Sequence, residues 1–81
     1  MKNVILPETV SATIGNTVGR VISNLWEKND MIRLYVEVRF DKGASCKCGF
    51  IDLITGEVKF TTRGVDGKWA DKVKSEMVIK Y

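Results

Sequence analysis

Met31-Ile-Arg-Leu-Tyr-Val-Glu-Val-Arg-Phe40 alternates apolar and mostly polar residues without a break. Successive side chains of a strand leave opposite faces, so Ile32, Leu34, Val36, Val38 and Phe40 point one way and Met31, Arg33, Tyr35, Glu37 and Arg39 the other. The first set must be core. The second mixes two arginines with a tyrosine, which makes it the chain's best candidate for a working surface.

The residues just upstream decide how that strand is paired. From Thr9 to Trp26, Val10, Ile14, Val18, Ile22 and Trp26 recur every four positions, a helical stripe. Composition argues the other way, because Gly15, Asn16, Thr17, Gly19, Ser23 and Asn24 are poor helix formers and each interior glycine costs about 1 kcal/mol relative to alanine. Asn29-Asp30 is a natural turn, so a loop of two or four residues makes Val18–Trp26 the hairpin partner of Met31–Phe40. Val21, Ser23 and Leu25 then share the core face with Ile32, Leu34 and Val36, and Ile22, Asn24 and Trp26 share the other with Arg33 and Tyr35. A four-residue loop also sets Arg20 opposite Glu37. The hairpin is the preferred reading; a helix ending near Lys28 is its alternative.

Downstream, Asp41–Ser45 reads as a loop and Cys46–Leu53 as a strand. Ile54-Thr-Gly56 turns it into Glu57–Thr61, with Val58 and Phe60 inward. Arg63–Gly67 reads as a further turn, after which Asp66 caps a helix carrying Trp69, Val73 and Met77 on one side and Lys72, Glu76 and Lys80 on the other. Val78–Tyr81 fits an edge strand equally well. Near the start, Val4-Ile-Leu6 before Pro7 reads as a short edge strand. The expected fold is a single α+β domain over residues 1–81, an antiparallel sheet of three to five strands rich in hairpins with a C-terminal helix. An N-terminal helix joins it if the alternative for Thr9–Trp26 holds.

With that alternative, the order helix, three strands, helix resembles the layout of double-stranded-RNA-binding domains. That family's basic signature at the start of its last helix is met here by Lys68, Lys72 and Lys74 with Trp69, Asp71 and Val73 between them, so the resemblance extends to layout and not to function. The turn Trp26-Glu-Lys-Asn-Asp30 followed by Ile32-Arg-Leu-Tyr-Val36 is similar to hairpins common in small phage and mobile-element proteins.

The 81 residues carry 44% hydrophobic and 28% charged side chains, values of a globular domain and not of a disordered tail or membrane span. The start has one lysine and three consecutive aliphatic residues, short of a signal peptide's apolar core of roughly 7–15 residues, so the expected compartment is the cytoplasm. Cys46 and Cys48 are too few and too close for a disulfide framework and read as free thiols, facing together into the core or together to solvent. A zinc site shared across a dimer is the minor alternative.

Thirteen Lys and Arg against ten Asp and Glu give a net charge of +3, which leans toward polyanions without demanding one. The chain has no histidine, which removes the commonest general base and metal ligand and, with them, Ser-His and Cys-His catalysis. Asp41, Asp52 and Glu57 stand at loop edges, where turn capping and solubility account for them. Gly15-Asn-Thr-Val-Gly19 lacks the lysine and the spacing of a phosphate loop. No cofactor is expected.

What remains is the mixed face: Trp26, Arg33, Tyr35 and Arg39, with Lys59 and Arg63 on the neighbouring hairpin. Aromatic, arginine-rich surfaces serve protein interfaces and, on sheets, single-stranded nucleic acid. The alternative is that the C-terminal helix lies over this face and buries Trp26 and Tyr35 against Trp69 and Val73. The expectation is therefore a small non-enzymatic binding module of accessory or inhibitor type acting on a protein, with single-stranded nucleic-acid or RNA binding as the second reading.

Overall fold

The computed structural model describes residues 6–81. A 3-10 turn at Pro7–Thr9 leads into β1 (Ser11–Ile14), β2 (Thr17–Val18), β3 (Arg20–Lys28), β4 (Met31–Phe40), β5 (Ala44–Asp52), β6 (Val58–Phe60) and β7 (Val65–Gly67). Helix α1 (Ala70–Glu76) and β8 (Val78–Lys80) complete the chain. The strands form two antiparallel sheets, one ordered β2-β1-β8 and the other β3-β4-β5-β6, with β7 pairing the first half of β5.

The segment with two competing readings is strand and turn, β1, β2 and the start of β3, and no N-terminal helix exists among the described residues. Side chains four apart share a face in a strand as well as in a helix, so the four-residue recurrence could not separate the two. The stripe is not one face: Val10 and Ile14 are buried, whereas Val18 is 72% exposed. The double-stranded-RNA-binding layout falls with the helix. Gly19 sits where the chain passes from the small sheet to the large one, with its N–H bonded to the Ala12 carbonyl at 2.8 Å. A Cβ there would run into Val38 and the Phe40 ring.

The first hairpin closes through the two-residue loop Asn29-Asp30, Asn29 taking the left-handed conformation at φ 54°. Val21, Ser23 and Leu25 do stand on the face of Leu34 and Val36, opposite Val38, Val36 and Leu34, but Leu25, expected in the core, is 60% exposed on the hairpin's edge strand. The shorter loop corrects one pairing: Arg20 faces Arg39, and Glu37 faces Ile22.

β5 begins at Ala44, two residues before its expected start, and carries a bulge. Val36 and Glu37 are consecutive on β4, yet their partners Gly49 and Lys47 are two apart, leaving Cys48 as the extra residue. The bulge shifts the alternation. Ala44, Cys46 and Cys48 point inward, the next buried residue is Ile51, and Phe50 is sent to the outer face. Gly49 has φ 139° and lies so close to the Lys59 carbonyl that no Cβ fits.

The hairpin of β5 and β6 pairs Ile51 with Val58 and Phe50 with Lys59. Two expectations for the following segment are corrected. Val65–Gly67 is a strand and not only a turn, and Asp66 does not cap the helix. Its carboxylate accepts from the Gly67 N–H at 2.8 Å, and Trp69 holds the cap position without a side-chain bond. The helix does present Trp69, Val73 and Met77 to the core, with Val73 fully buried. The helix ends at Glu76, so Lys80 belongs to β8 and not to its wet side. The chain end is thus helix and then strand. Of the expected N-terminal strand, Val4 and Ile5 lie outside the described residues, and Leu6 is extended ahead of the 3-10 turn.

The core lies between the sheets. Ala12, Ile14, Val38, Phe40, Ala44, Cys46, Cys48 and Val73 make one buried cluster, and Val10, Leu34, Val36 and Ile51 another. Both belong to the inner face of the large sheet, which the small sheet and α1 cover.

Candidate interaction surface

Because β1 and α1 lie on the inner face, the outer face of the large sheet has no covering element among the described residues. The alternative that α1 buries Trp26 and Tyr35 is excluded: Trp69 packs on Phe40, with ring centroids 6.4 Å apart, and Val73 joins the cluster around Val38.

Strand register then assembles the outer residues. Trp26 stands opposite Arg33, Asn24 and Phe50 flank Tyr35, and Phe50 is in turn opposite Lys59. The Trp26 and Tyr35 rings meet edge to face at 6.3 Å, and Tyr35 and Phe50 are 5.6 Å apart. The Arg33 guanidinium lies over Phe50 at 4.1 Å and reaches Trp26 at 5.8 Å. Such contacts fix aromatic and guanidinium planes that would otherwise rotate, each worth roughly 0.5–1.5 kcal/mol. Arg33 Nη1 donates a long bond to the Tyr35 hydroxyl at 3.4 Å, and its Nε is buried without a partner among the described residues.

Beside this cluster, where the Val36–Gly49 pair sends no side chain outward, a depression of about 370 Å3 lies between Asn24, Tyr35, Glu37 and Lys47, floored by Val36. Its walls are mainly apolar and its rim carries one charge of each sign.

Two cations on this face are ion-paired, whereas Arg20 and Arg39 face one another across the hairpin. Arg39 Nε bonds Glu37 Oε2 at 2.8 Å, Lys59 reaches Glu57 at 3.7 Å, Lys47 stands opposite Glu37, and Arg33 stands opposite Asp52. Asp52 is engaged locally as well. Its Oδ1 accepts the amide N–H groups of Thr55 and Ile54, each at 2.9 Å, and holds the turn between β5 and β6. Those bonds, with a smaller contribution from Arg33, hold its carboxyl below the usual range.

Of the six residues proposed from the sequence, the fold gathers Trp26, Arg33, Tyr35 and Lys59. Arg39 lies further along β4, beside a second depression of about 380 Å3 bounded by Ser45, Asp66 and Gly67. Arg63 is exposed on the loop between β6 and β7, apart from the cluster. Phe50 was missed. Strict alternation from Cys46 and Cys48 places it inside, and the one available signal was Gly49, since a glycine within a strand marks a bulge. Both thiols point inward and are fully buried, and the described residues contain no grouping of three or more His, Cys, Asp or Glu able to hold a metal ion.

No protein-family model matches the chain, and neither a curated protein nor a solved structure gives a significant match.

Proposed function

We propose that the outer face of the large sheet is a protein-docking surface and that the chain is a small non-enzymatic binding module of accessory or inhibitor type. One observation carries this reading: Trp26, Tyr35 and Phe50 form a fixed cluster around Arg33 on a face that no described element covers. Aromatics and arginine are the residues that anchor protein interfaces, and ordering them before contact lowers the entropy cost of binding. The depression at Gly49 accepts one apolar side chain of the partner. The carboxylates nearest the cluster are engaged, Asp52 with turn amides and Glu37 with Arg39, which supports a role in recognition over acid–base chemistry.

Single-stranded nucleic acid is the second reading, favoured by three aromatic rings on an open sheet face. Charge separates the two. Nucleic-acid binding weakens steeply with salt in proportion to the phosphates neutralised, whereas docking through an aromatic cluster depends little on salt. The test is binding of the purified chain to its isolated partner and to single-stranded RNA and DNA across a salt series. The docking reading expects Trp26→Ala, Tyr35→Ala or Phe50→Ala to cost about 2 kcal/mol or more of partner affinity with little salt dependence. Tight oligonucleotide binding whose salt slope becomes shallower by about one when Arg33 or Lys59 is removed would replace it with the second reading.

A further inference from the structure

We propose that β3 pairs antiparallel with β3 of a second copy of this chain, with the two-fold axis at Leu25, so that two large sheets become one. This contact uses the edge of β3 and leaves the outer face free, so it stands independently of the docking role.

The direction of the main-chain groups shows which edge is unpaired among the described residues. The Leu53 N–H bonds the Ile32 carbonyl at 2.9 Å, so Ile32, Leu34 and Val36 direct their backbone groups toward β5. The intervening residues of β4 serve β3, and their partners in register there are Lys28, Trp26, Asn24, Ile22 and Arg20. Val21, Ser23, Leu25 and Glu27 therefore turn their N–H and C=O groups away from the sheet. Gly19 has the same parity, and its N–H is taken by β1. Beyond it, β3 pairs with β4 alone among the described residues. Val10, which follows the 3-10 turn, packs on Leu34, Val36 and Ile51 and so draws that turn over the inner face.

Natural edges are blunted by proline, bulges or charges at mid-strand. β3 has none of these over its nine residues: its register with β4 is unbroken, and its charges are at the ends, Arg20, Glu27 and Lys28. At its middle Leu25 is 60% exposed.

Register selects the occupant. Copies can slide past one another only in two-residue steps if inner and outer faces are to match. An axis at Ser23 carries Glu27 of the second copy onto Gly19, whose edge β1 already holds. An axis at Asn24 sets Arg20 against Lys28 of the second copy, twice. The axis at Leu25 brings Leu25 onto itself, Ser23 opposite Glu27, Asn24 opposite Trp26, and Arg20 opposite Asp30 in the turn. It buries the exposed leucine, opposes unlike charges and closes after two chains.

Sedimentation equilibrium of the reduced chain at tens of micromolar should return twice the chain mass. Ser23→Pro, which removes only an outward N–H, should return the single-chain mass with an unchanged far-ultraviolet spectrum. Residues facing each other across a hydrogen-bonded antiparallel pair have Cα atoms about 5.5 Å apart, within disulfide reach. Leu25→Cys should therefore crosslink on mild oxidation and Ser23→Cys should not. If Ser23→Pro fails to fold, Leu25→Lys gives the same reading at a position that tolerates charge. A wild-type monomer overturns the proposal. In that case, freely exchanging amides at Ser23, Leu25 and Glu27 would mean an open edge, and protected ones an edge covered by another segment of the same chain. A dimer that survives Ser23→Pro or Leu25→Lys and does not crosslink through Leu25→Cys overturns it too, by placing the contact elsewhere.

Discussion

The guanidinium of Arg33 rests 4.1 Å from the centroid of the Phe50 ring, although the two residues are on different strands and not directly opposite one another. Arg33 faces Asp52, and Phe50 faces Tyr35, so the contact is a diagonal one between neighbouring pairs. It exists because the bulge at Cys48 turns Phe50 outward. A planar cation over a ring also explains why arginine serves here better than lysine, whose ammonium is compact and more strongly hydrated.

Arg33→Lys should keep the charge and lose the stacked plane, lowering fold stability by about 0.5–1 kcal/mol. Phe50→Ala removes the ring shared by Tyr35 and Arg33 at a half-buried position and should cost about 2 kcal/mol. Urea unfolding followed by tryptophan fluorescence measures both. Equal stability of wild type and Arg33→Lys would show that the stacked contact contributes nothing to the fold.

Acid should weaken the fold in part through Asp52. The amides of Thr55 and Ile54 favour its charged form, so its folded pKa lies below the ordinary 3.8. Its stabilisation is therefore present above that value and lost as pH falls through the lower, folded one. Asp52→Asn keeps an acceptor oxygen and removes the charge. The urea midpoints of wild type and Asp52→Asn should differ at neutral pH and converge in strong acid. A gap that persists unchanged in acid would assign the effect to geometry alone.

Much of this arrangement was legible in the residues. The alternation of Met31–Phe40 put Arg33, Tyr35 and Arg39 on one face, and Asn29-Asp30 positioned Trp26 beside Arg33 and Tyr35, because hairpin register follows from loop length. Two features were not legible, for different reasons. The period of four in Thr9–Trp26 fits two backbones, and only pairing with β4 and β8 decides between them. The outward turn of Phe50 depends on one inserted residue in β5, and alternation carries no mark of an insertion except the glycine beside it. The place of α1 likewise depended on tertiary contacts: Trp69 and Phe40 meet on the inner face, a pairing that local pattern does not specify.

The two thiols should be inert in the native state. Burial raises the Cys46 pKa, and burial together with the neighbouring Cys46 pushes Cys48 up to about 12. The reactive thiolate is thus nearly absent near neutrality. A thiol reagent should label both residues only at the rate at which the chain opens, accelerating with urea. The same shift gives an alkaline limit. The neutral thiols' contribution is fully present below 9.0, the unfolded value, and is lost as pH rises toward about 12. Rapid stoichiometric labelling in native buffer would contradict this burial.

Gly49 should be the least replaceable residue beside the β5 bulge, though it makes no side-chain contact. Its φ of 139° disfavours any L side chain, and a Cβ would collide with the Lys59 carbonyl across the strand. Gly49→Ala must therefore either separate β6 from β5 or flatten the bulge, and a cost of about 3 kcal/mol is expected. Flattening has a visible consequence, because Phe50 and Ile51 would exchange faces. Deleting Cys48 is the complementary change. It makes the partners of Val36 and Glu37 consecutive, restores plain alternation and leaves Phe50 opposite Tyr35. It sacrifices one buried thiol and the carbonyl that accepts the Thr61 N–H at 2.7 Å, a loss of about 1–3 kcal/mol. Nuclear Overhauser contacts between the Phe50 and Tyr35 rings should survive the deletion, while Gly49→Ala should weaken them or unfold the chain. A Gly49→Ala variant with native stability and those contacts intact would show that the bulge does not orient the aromatic cluster.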